Sequence, residues 1–225
     1  MIELKGAGYS YGGSGILDGL DLALSSGSFH FLTGPSGAGK TTLLKLCYGE
    51  LKPLTGEVTL FGRDSRRLGR DGLARARQRI GVVHQDCRFL DHLKLRENIA
   101  LPLTVAGRDV AAEAESLDQL IGWVGLSHRA DARPPELSGG ERQRAALARA
   151  IIMDPDIIIA DEPTGNIDWE MSQRLLTLLT ELNKLGKTIL VATHDLALIR
   201  AAKTQVSARV LRLAGGRLQA AGSDL

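Results

Sequence analysis

The sequence has few cysteines, few aromatic residues and almost no net charge. Its 225 residues include two cysteines and 4% aromatic residues, and the formal net charge is +2 at pH 7. Cys47 and Cys87 are far apart and lack metal-ligand spacing, so we expect two buried, reduced thiols. The balanced charge gives no argument for a nucleic-acid partner.

Long apolar segments are also missing. Without a run of 18 apolar residues we expect no transmembrane helix, and the start MIELKGAGYSY lacks the build of a signal peptide. A hydrophobic fraction of 44% and a charged fraction of 24% are ordinary for a soluble globular protein. We therefore expect one compact domain over residues 1–225.

Several segments have strand patterns. Residues 20–24 alternate between leucine and other residues, and residues 28–33 form a further predicted strand. Residues 157–160 and 188–192 are almost wholly apolar, which is typical of strands buried on both faces of a parallel sheet. The pattern predicts an α/β fold with a mostly parallel sheet flanked by helices.

A helix is predicted between the two apolar strands. Asp168 is placed to cap its start and Gly186 to end it. Strand, helix and strand at this spacing predict a right-handed βαβ unit. The expected apolar stripe consists of Met171, Leu175, Leu178, Leu182 and Leu185.

Two other regions have a different character. Residues from about 88 to 150 have helical patterns and no strand of comparable quality, so we expect a mostly helical subdomain there. Residues 210–219, with Gly215 and Gly216 in the middle, predict a terminal hairpin.

Residues 34–41, GPSGAGKT, fit the phosphate-loop pattern G-x-x-x-x-G-K-[ST]. Glycines allow several backbone N–H groups to point at one phosphate chain, and the following helix adds its positive N-terminal end. In this pattern Lys40 reaches the β- and γ-phosphates, and the Thr41 hydroxyl binds Mg²⁺. The alternative is a plain strand-to-helix turn. The predicted ATP-binding residues here are Gly34, Pro35, Ser36, Gly37, Ala38, Gly39, Lys40, Thr41 and Thr42.

Acidic residues end one buried strand and a histidine ends the other. Asp161 is placed to hold Mg²⁺, and Glu162 to take a proton from an attacking water. A solvated acidic turn is the alternative. His194 is placed to contact the γ-phosphate, although a histidine at a strand end is more often structural.

A second glycine pair lies in residues 137–143, LSGGERQ. This segment resembles the signature motif of the ATP-binding-cassette ATPases. The resemblance implies the P-loop fold of that family, with an N-terminal antiparallel β part and a helical signature subdomain. It also implies a head-to-tail dimer, in which Ser138, Gly139 and Gly140 of one copy meet the ATP of the other.

The resemblance extends along the chain. Gln85 matches the glutamine that meets the metal and the lytic water and links to a membrane partner. Residues 165–168, including Asp168, match the segment that communicates across the dimer, and His194 matches the switch histidine. Tyr11 is the match for the aromatic residue that stacks on adenine, with Tyr9 as the alternative.

Residues 31–46 and 161–168 most resemble the branch of the family that serves bacterial cell division. That implies a peripheral protein on the cytoplasmic side of the inner membrane, acting with an integral membrane partner to regulate peptidoglycan hydrolases. ATPases of lipoprotein-release and macrolide-efflux systems are the alternatives. Two alternatives come from other functional classes: a soluble cassette ATPase that acts on DNA or ribosomes, and a nucleotide-binding switch that hydrolyses poorly.

Two segments allow more than one interpretation. Residues 63–79 contain seven arginines and two aspartates, which fit a solvated helix with Leu68 and Leu73 inward, a phosphate-binding surface, or attraction to an anionic membrane. Residues 85–97 are expected to carry motion to a membrane partner. Their apolar side chains suit either a partner groove or the core: Phe89, Leu90, Leu93 and Leu95.

Overall fold

The computed structural model describes residues 1–12, 14–165 and 167–220. The strands are β1 (Ile2–Tyr11), β2 (Ser14–Leu24), β3 (Phe29–Thr33), β4 (Thr55–Leu60), β5 (Arg63–Asp64), β6 (Ile80–Val83), β7 (Ile157–Asp161), β8 (Thr188–Ala192), β9 (Ala208–Ala214) and β10 (Arg217–Ala220). The α-helices are α1 (Lys40–Cys47), α2 (Arg70–Gln78), α3 (Leu95–Val105), α4 (Ala114–Trp123), α5 (Gly139–Ile151), α6 (Trp169–Lys184) and α7 (Leu196–Lys203).

The larger sheet is mostly parallel. Its strand order is β10-β9-β3-β8-β7-β6, with β10 antiparallel to β9 and the other neighbours parallel. Every residue of β7 and β8 is buried, as their apolar runs predicted, and so is every residue of β3. The predicted terminal hairpin is also present. Since parallel strands end at the same edge, the segments after β3, β7 and β8 meet there.

The smaller sheet is antiparallel, with the order β2-β1-β4-β5. Leu20, Leu22 and Leu24 are buried, while Asp21 and Ala23 between them are exposed, as the alternation predicted. One apolar core joins residues of both sheets to Leu43, Leu44 and Leu46 of α1. Helix α1, and the loop that begins it, are thereby packed against both sheets.

Helix α6 has the predicted caps but a different buried face. Asp168 Oδ1 accepts a hydrogen bond from Met171 N at 2.8 Å, and Gly186 has φ 90° just beyond the helix. The inward placement of Leu185 was wrong, because the helix ends at Lys184 and Leu185 is 76% exposed. The buried residues are Ser172, Leu175, Leu176, Leu179, Thr180 and Leu182.

Residues 88–150 contain α3, α4, α5 and two short 3-10 turns, with no strand assigned in this fully described segment. Leu95, Ile99, Leu117 and Ile121 form part of a separate apolar cluster. Helix α5 also contributes to the core beneath the large sheet, so the helical segment shares an element with the rest of the chain. Its status as a subdomain stays a prediction.

Both cysteines are buried and free, as expected. Burial raises the pKa of the Cys47 thiol to about 12. Within the described ranges, none of the helices combines the length and apolarity needed to cross a bilayer.

Candidate active site

The loop between β3 and α1 has the backbone conformation that its glycines allow. The φ angles are 147° at Gly34, 76° at Gly37 and 97° at Gly39. At Gly34 an added Cβ would lie 2.3 Å from Leu213 O, so this position has no room for a side chain. The loop is therefore set by backbone torsion and by close approach to β9.

Lys40 lies across this loop. Its Nζ donates to Gly34 O at 3.0 Å and to Pro35 O at 3.3 Å, and it is 3.7 Å from Glu162 Oε1. The Lys40 and Glu162 side chains are only 10% and 12% exposed. The Lys40 ammonium is thus held at the loop and faces the carboxylate of Glu162, the residue that follows β7.

A cavity of about 570 Å³, called here the phosphate-loop cavity, gathers most of the predicted site residues. Ile16 of β2 also lines it and was missed, because nothing local in the sequence shows that β2 passes over the loop. Its lining residues are Ile16, Gly34, Pro35, Ser36, Gly37, Gly39, Lys40, Thr41, Thr42, Gln85, Asp161, Glu162 and His194.

Some predicted site residues do not line this cavity. Ala38 is within the loop, where its N–H donates to Pro35 O at 3.2 Å. Tyr11 is 47% exposed and meets Tyr9 edge-on, with ring centroids 4.9 Å apart. The choice between the two tyrosines stays open. Asp168 caps α6, and Asn166 lies outside the described residues.

Glu162 and His194 contact each other in the wall of the phosphate-loop cavity. His194 Nδ1 lies 2.9 Å from Glu162 Oε2, and with an ionised carboxylate the nitrogen is the donor. Glu162 has φ 46°, a left-handed conformation that costs about 1–2 kcal/mol in a residue with a side chain. Its N–H donates to Ala192 O at 2.8 Å, which ties the turn after β7 to the end of β8.

The side chains of Thr41, Gln85 and Asp161 are the candidate Mg²⁺ ligands. Burial raises the pKa of the Asp161 carboxyl, and a hydrogen bond with Thr41 opposes that shift. In the described residues, no three His, Cys, Asp or Glu side chains are grouped to hold a metal. A hydroxyl, an amide and a carboxylate do offer the oxygen ligands that Mg²⁺ takes together with substrate phosphates. The donor set therefore fits a metal shared with the nucleotide.

The signature segment begins a capped helix away from this cavity. Ser138 Oγ accepts from Glu141 N at 3.3 Å, and Glu141 Oε2 accepts from Ser138 N at 2.8 Å. The hydrogen bond from the Ser138 N–H is the largest effect that lowers the pKa of Glu141. Ser138 and Gly139 are exposed and Gly140 is buried; none of the three lines the phosphate-loop cavity. The chain's own loop and signature are not brought together.

A second cavity of about 590 Å³, called here the side groove, is more apolar. Its walls come from α2, β6, the ends of α3 and α5, and the loop after β6, and include Leu101, Pro102, Val105, Ala150 and Met153. None of Phe89, Leu90, Leu93 and Leu95 lines it. The prediction that Leu95 could line a groove for a partner helix was wrong. As the first residue of α3 it is fully buried in the helical cluster, which agrees with the alternative of core packing.

Several side chains of the arginine-rich segment, residues 63–79, pack against or hydrogen-bond to the rest of the chain. Leu68 is 5% exposed and Leu73 packs partly against the core, so both face inward as predicted. The helix itself is shorter than predicted, because Arg63–Asp64 form β5 and Leu68 precedes α2. Arg77 donates to Gly49 O at 2.8 Å, and Arg79 donates to Asp156 Oδ2 at 2.6 Å while lying over the Phe61 ring.

Comparison with known proteins assigns the chain to a family. A profile described as ABC transporter matches residues 17–165. The chain belongs to the ABC transporter family. It is 44% identical over 206 residues to the cell division ATP-binding protein FtsE of Haemophilus influenzae, covering 89% of this chain and 93% of that protein. FtsE of Bacillus subtilis is 37% identical over 209 residues, covering 92% of each.

Other members of the family are similar as well. The methionine import ATP-binding protein MetN of Brucella abortus is 37% identical over 223 residues, which is 99% of this chain but 59% of that protein. A solved dimeric, post-hydrolysis structure of the ATP-binding cassette MJ0796, bound to ADP and Pi, superposes with a TM-score of 0.87 at 31% identity and covers 98% of both chains. The α/β fold class and the family predicted from the motifs are confirmed.

Proposed function

We propose that the chain is the ATP-binding and ATP-hydrolysing subunit of a cell-division ABC complex. The observation that carries the chemical part is the meeting of Lys40, Glu162 and His194 at the phosphate-loop cavity. The cell-division part is supported by the FtsE relatives, which match over nearly their whole length.

In the proposed mechanism, the backbone N–H groups of residues 34–40 and the N-terminal end of α1 bind the ATP phosphates. Lys40 gives up its contacts with the Gly34 and Pro35 carbonyls and neutralises charge on the β- and γ-phosphates. Tyr11, or alternatively Tyr9, stacks on the adenine.

Glu162 is the proposed general base, and it accepts a proton from the water that attacks the γ-phosphate. His194 donates to the other carboxylate oxygen and orients Glu162, and it contacts the γ-phosphate. Thr41, Gln85 and Asp161 would hold Mg²⁺, which when bound offsets the negative charge of the phosphates.

Completion of the site requires a second copy in this proposal. The signature residues Ser138, Gly139 and Gly140 lie outside the chain's own phosphate-loop cavity. Ser138 and Gly139 are exposed, so this segment can meet the nucleotide of a partner. The similarity to dimeric cassettes supports this arrangement. Loss of the γ-phosphate would remove the bridging contacts and open the dimer.

The side groove is the proposed docking surface for an integral membrane protein of the FtsX type. Val105 on its wall is 81% exposed, which leaves a large apolar side chain available for a partner helix. Through this partner, ATP-driven closure would regulate peptidoglycan hydrolases. The chain would lie peripherally on the cytoplasmic side of the bacterial inner membrane, and no nucleic-acid partner is proposed.

Phosphate release from Mg-ATP tests the chemical part. The wild-type chain, assayed alone and with the membrane protein present, should release phosphate, while Glu162→Gln should bind ATP with turnover lowered about a hundredfold or more. Equal turnover in the two proteins would remove Glu162 as the base. Absence of ATP-dependent phosphate release from the wild type in both settings would refute the ATPase assignment.

Co-purification with an FtsX-like protein tests the groove. Val105→Glu should abolish retention of the membrane protein, because it places a charge on an apolar wall. Leu185→Glu is the matched control, since Leu185 is 76% exposed but lies outside the groove. Equal retention by both variants would contradict docking at this surface.

A further inference from the structure

The loop formed by residues 84–88 brings Gln85 to the phosphate-loop cavity by a strained backbone path. Cys87 and Arg88 are consecutive non-glycine residues with φ 57° and 45°. Inside the loop, Cys87 N donates to His84 O at 3.0 Å, and Arg88 N donates to Asp86 O at 2.7 Å. Conformations of this kind persist only where the surrounding structure holds them.

Side chains of α5 bind this loop at three carbonyls. Gln143 Nε2 donates to Gln85 O at 3.4 Å. Arg149 donates to Arg88 O through Nη1 at 2.8 Å, and to Cys87 O through Nη2. The guanidinium carbon also lies 4.6 Å from the centroid of the Phe89 ring. The Arg149 side chain therefore binds the carbonyls of Cys87 and Arg88, the two residues of this loop that have positive φ.

The helix that supplies these donors is the helix that begins with the signature. Ser138 caps its start, and Arg149 lies near its end. Because a helix transmits displacement along its length, a movement at Ser138 reaches Arg149. The loop that Arg149 binds places Gln85 in the wall of the phosphate-loop cavity.

We propose that Arg149 is a positioning residue that binds loop 84–88 to α5, so that the placement of Gln85 at the nucleotide follows the position of the signature helix. This inference rests on the proposed ATPase function, in which Gln85 would help to hold Mg²⁺. An arginine suits the role because its planar guanidinium directs separate N–H groups at two carbonyls while stacking on a ring.

Steady-state ATPase kinetics provide the first test. Arg149→Ala should lower kcat about tenfold to a hundredfold, as small misplacements at a reacting centre do, with KM for ATP nearly unchanged. Arg149→Lys should recover only part of the rate, since one ammonium cannot reproduce both bonds and the stacking. Arg144→Ala is the control on the same helix, where Arg144 donates to Val124 O at 2.9 Å. An unchanged kcat in Arg149→Ala, or an equal loss in Arg144→Ala, would overturn the proposal.

A double-mutant cycle with Gln85 separates positioning from general damage. If Arg149 acts through Gln85, then Gln85→Ala combined with Arg149→Ala should be no slower than Gln85→Ala alone. Losses that multiply would mean that Arg149 acts elsewhere, and would overturn the proposal.

Hydrogen exchange of the nucleotide-free full chain provides a test that needs no turnover. Amides of residues 84–89 should exchange faster in Arg149→Ala than in wild type, and at the wild-type rate in Arg144→Ala. A wild-type chain without ATPase activity would refute the proposed function. The exchange rates would still test whether Arg149 binds loop 84–88 to α5. Unchanged exchange in Arg149→Ala would overturn the linkage itself.

Discussion

Replacement of Gly34 by alanine should destabilise the protein even without nucleotide. Gly34 has φ 147°, and an added Cβ would lie 2.3 Å from Leu213 O, where 3.4 Å is the start of ordinary contact. Leu213 is fully buried in β9, the parallel neighbour of β3. Because the obstructing atom belongs to the backbone of a packed strand, no side-chain rotation can relieve the overlap.

The expected loss combines two effects. Backbone strain costs about 1–3 kcal/mol, and overpacking in a dense interior costs about 1–3 kcal/mol. A loss of about 2–6 kcal/mol is large against a total stability of about 5–15 kcal/mol. For a chain of this size it should lower Tm by about 4–24 °C.

Gly37→Ala is the matched control. Gly37 has φ 76° in the same loop, but nothing lies within 4 Å of an added Cβ. It bears only the backbone cost of about 1–2 kcal/mol, so Tm should fall by about 2–8 °C. Thermal unfolding followed by far-ultraviolet circular dichroism gives both values. Equal Tm losses, or a Gly34→Ala protein as stable as wild type, would refute the close approach to β9.

Three further substitutions test the site. Lys40→Ala should abolish ATP binding or turnover, as measured with a fluorescent nucleotide and by phosphate release; normal activity would remove the phosphate-loop assignment. Ser138→Arg should leave ATP affinity unchanged but prevent dimer closure in sedimentation, and an unaffected closed dimer would contradict the role of the signature in the partner's site. His194→Ala should lower kcat about a hundredfold with ATP still bound, because Glu162 loses its orienting donor; wild-type kcat would make His194 structural.

Contiguous motifs predicted much of the site because their physics is local. The glycines between residues 34 and 39 indicate a loop that needs positive φ, and the apolar runs before Asp161 and His194 indicate buried strands. Since parallel strands end at one edge, these three segments were expected to converge. The cavity does bring them together, although the catalytic and binding roles remain predictions.

Longer-range arrangements were not readable from the sequence. The placement of β8 between β3 and β7 depends on packing of whole strands, and so does the passage of Ile16 over the loop. Leu185 fits the helical period, yet it lies exposed because the chain turns at Gly186. The contacts of Arg149 with loop 84–88 join residues about 60 positions apart, and no local pattern indicates them.

The most direct measurement of the central claim is the mass of Glu162→Gln in solution with Mg-ATP. Sedimentation should show a monomer of 24.1 kDa without nucleotide and a species of twice that mass with Mg-ATP. The double variant Glu162→Gln, Ser138→Arg should remain a monomer under both conditions. A Glu162→Gln protein that binds ATP and stays at 24.1 kDa, or a dimer that forms equally well with Ser138→Arg, would contradict an ATP site completed by the partner's signature.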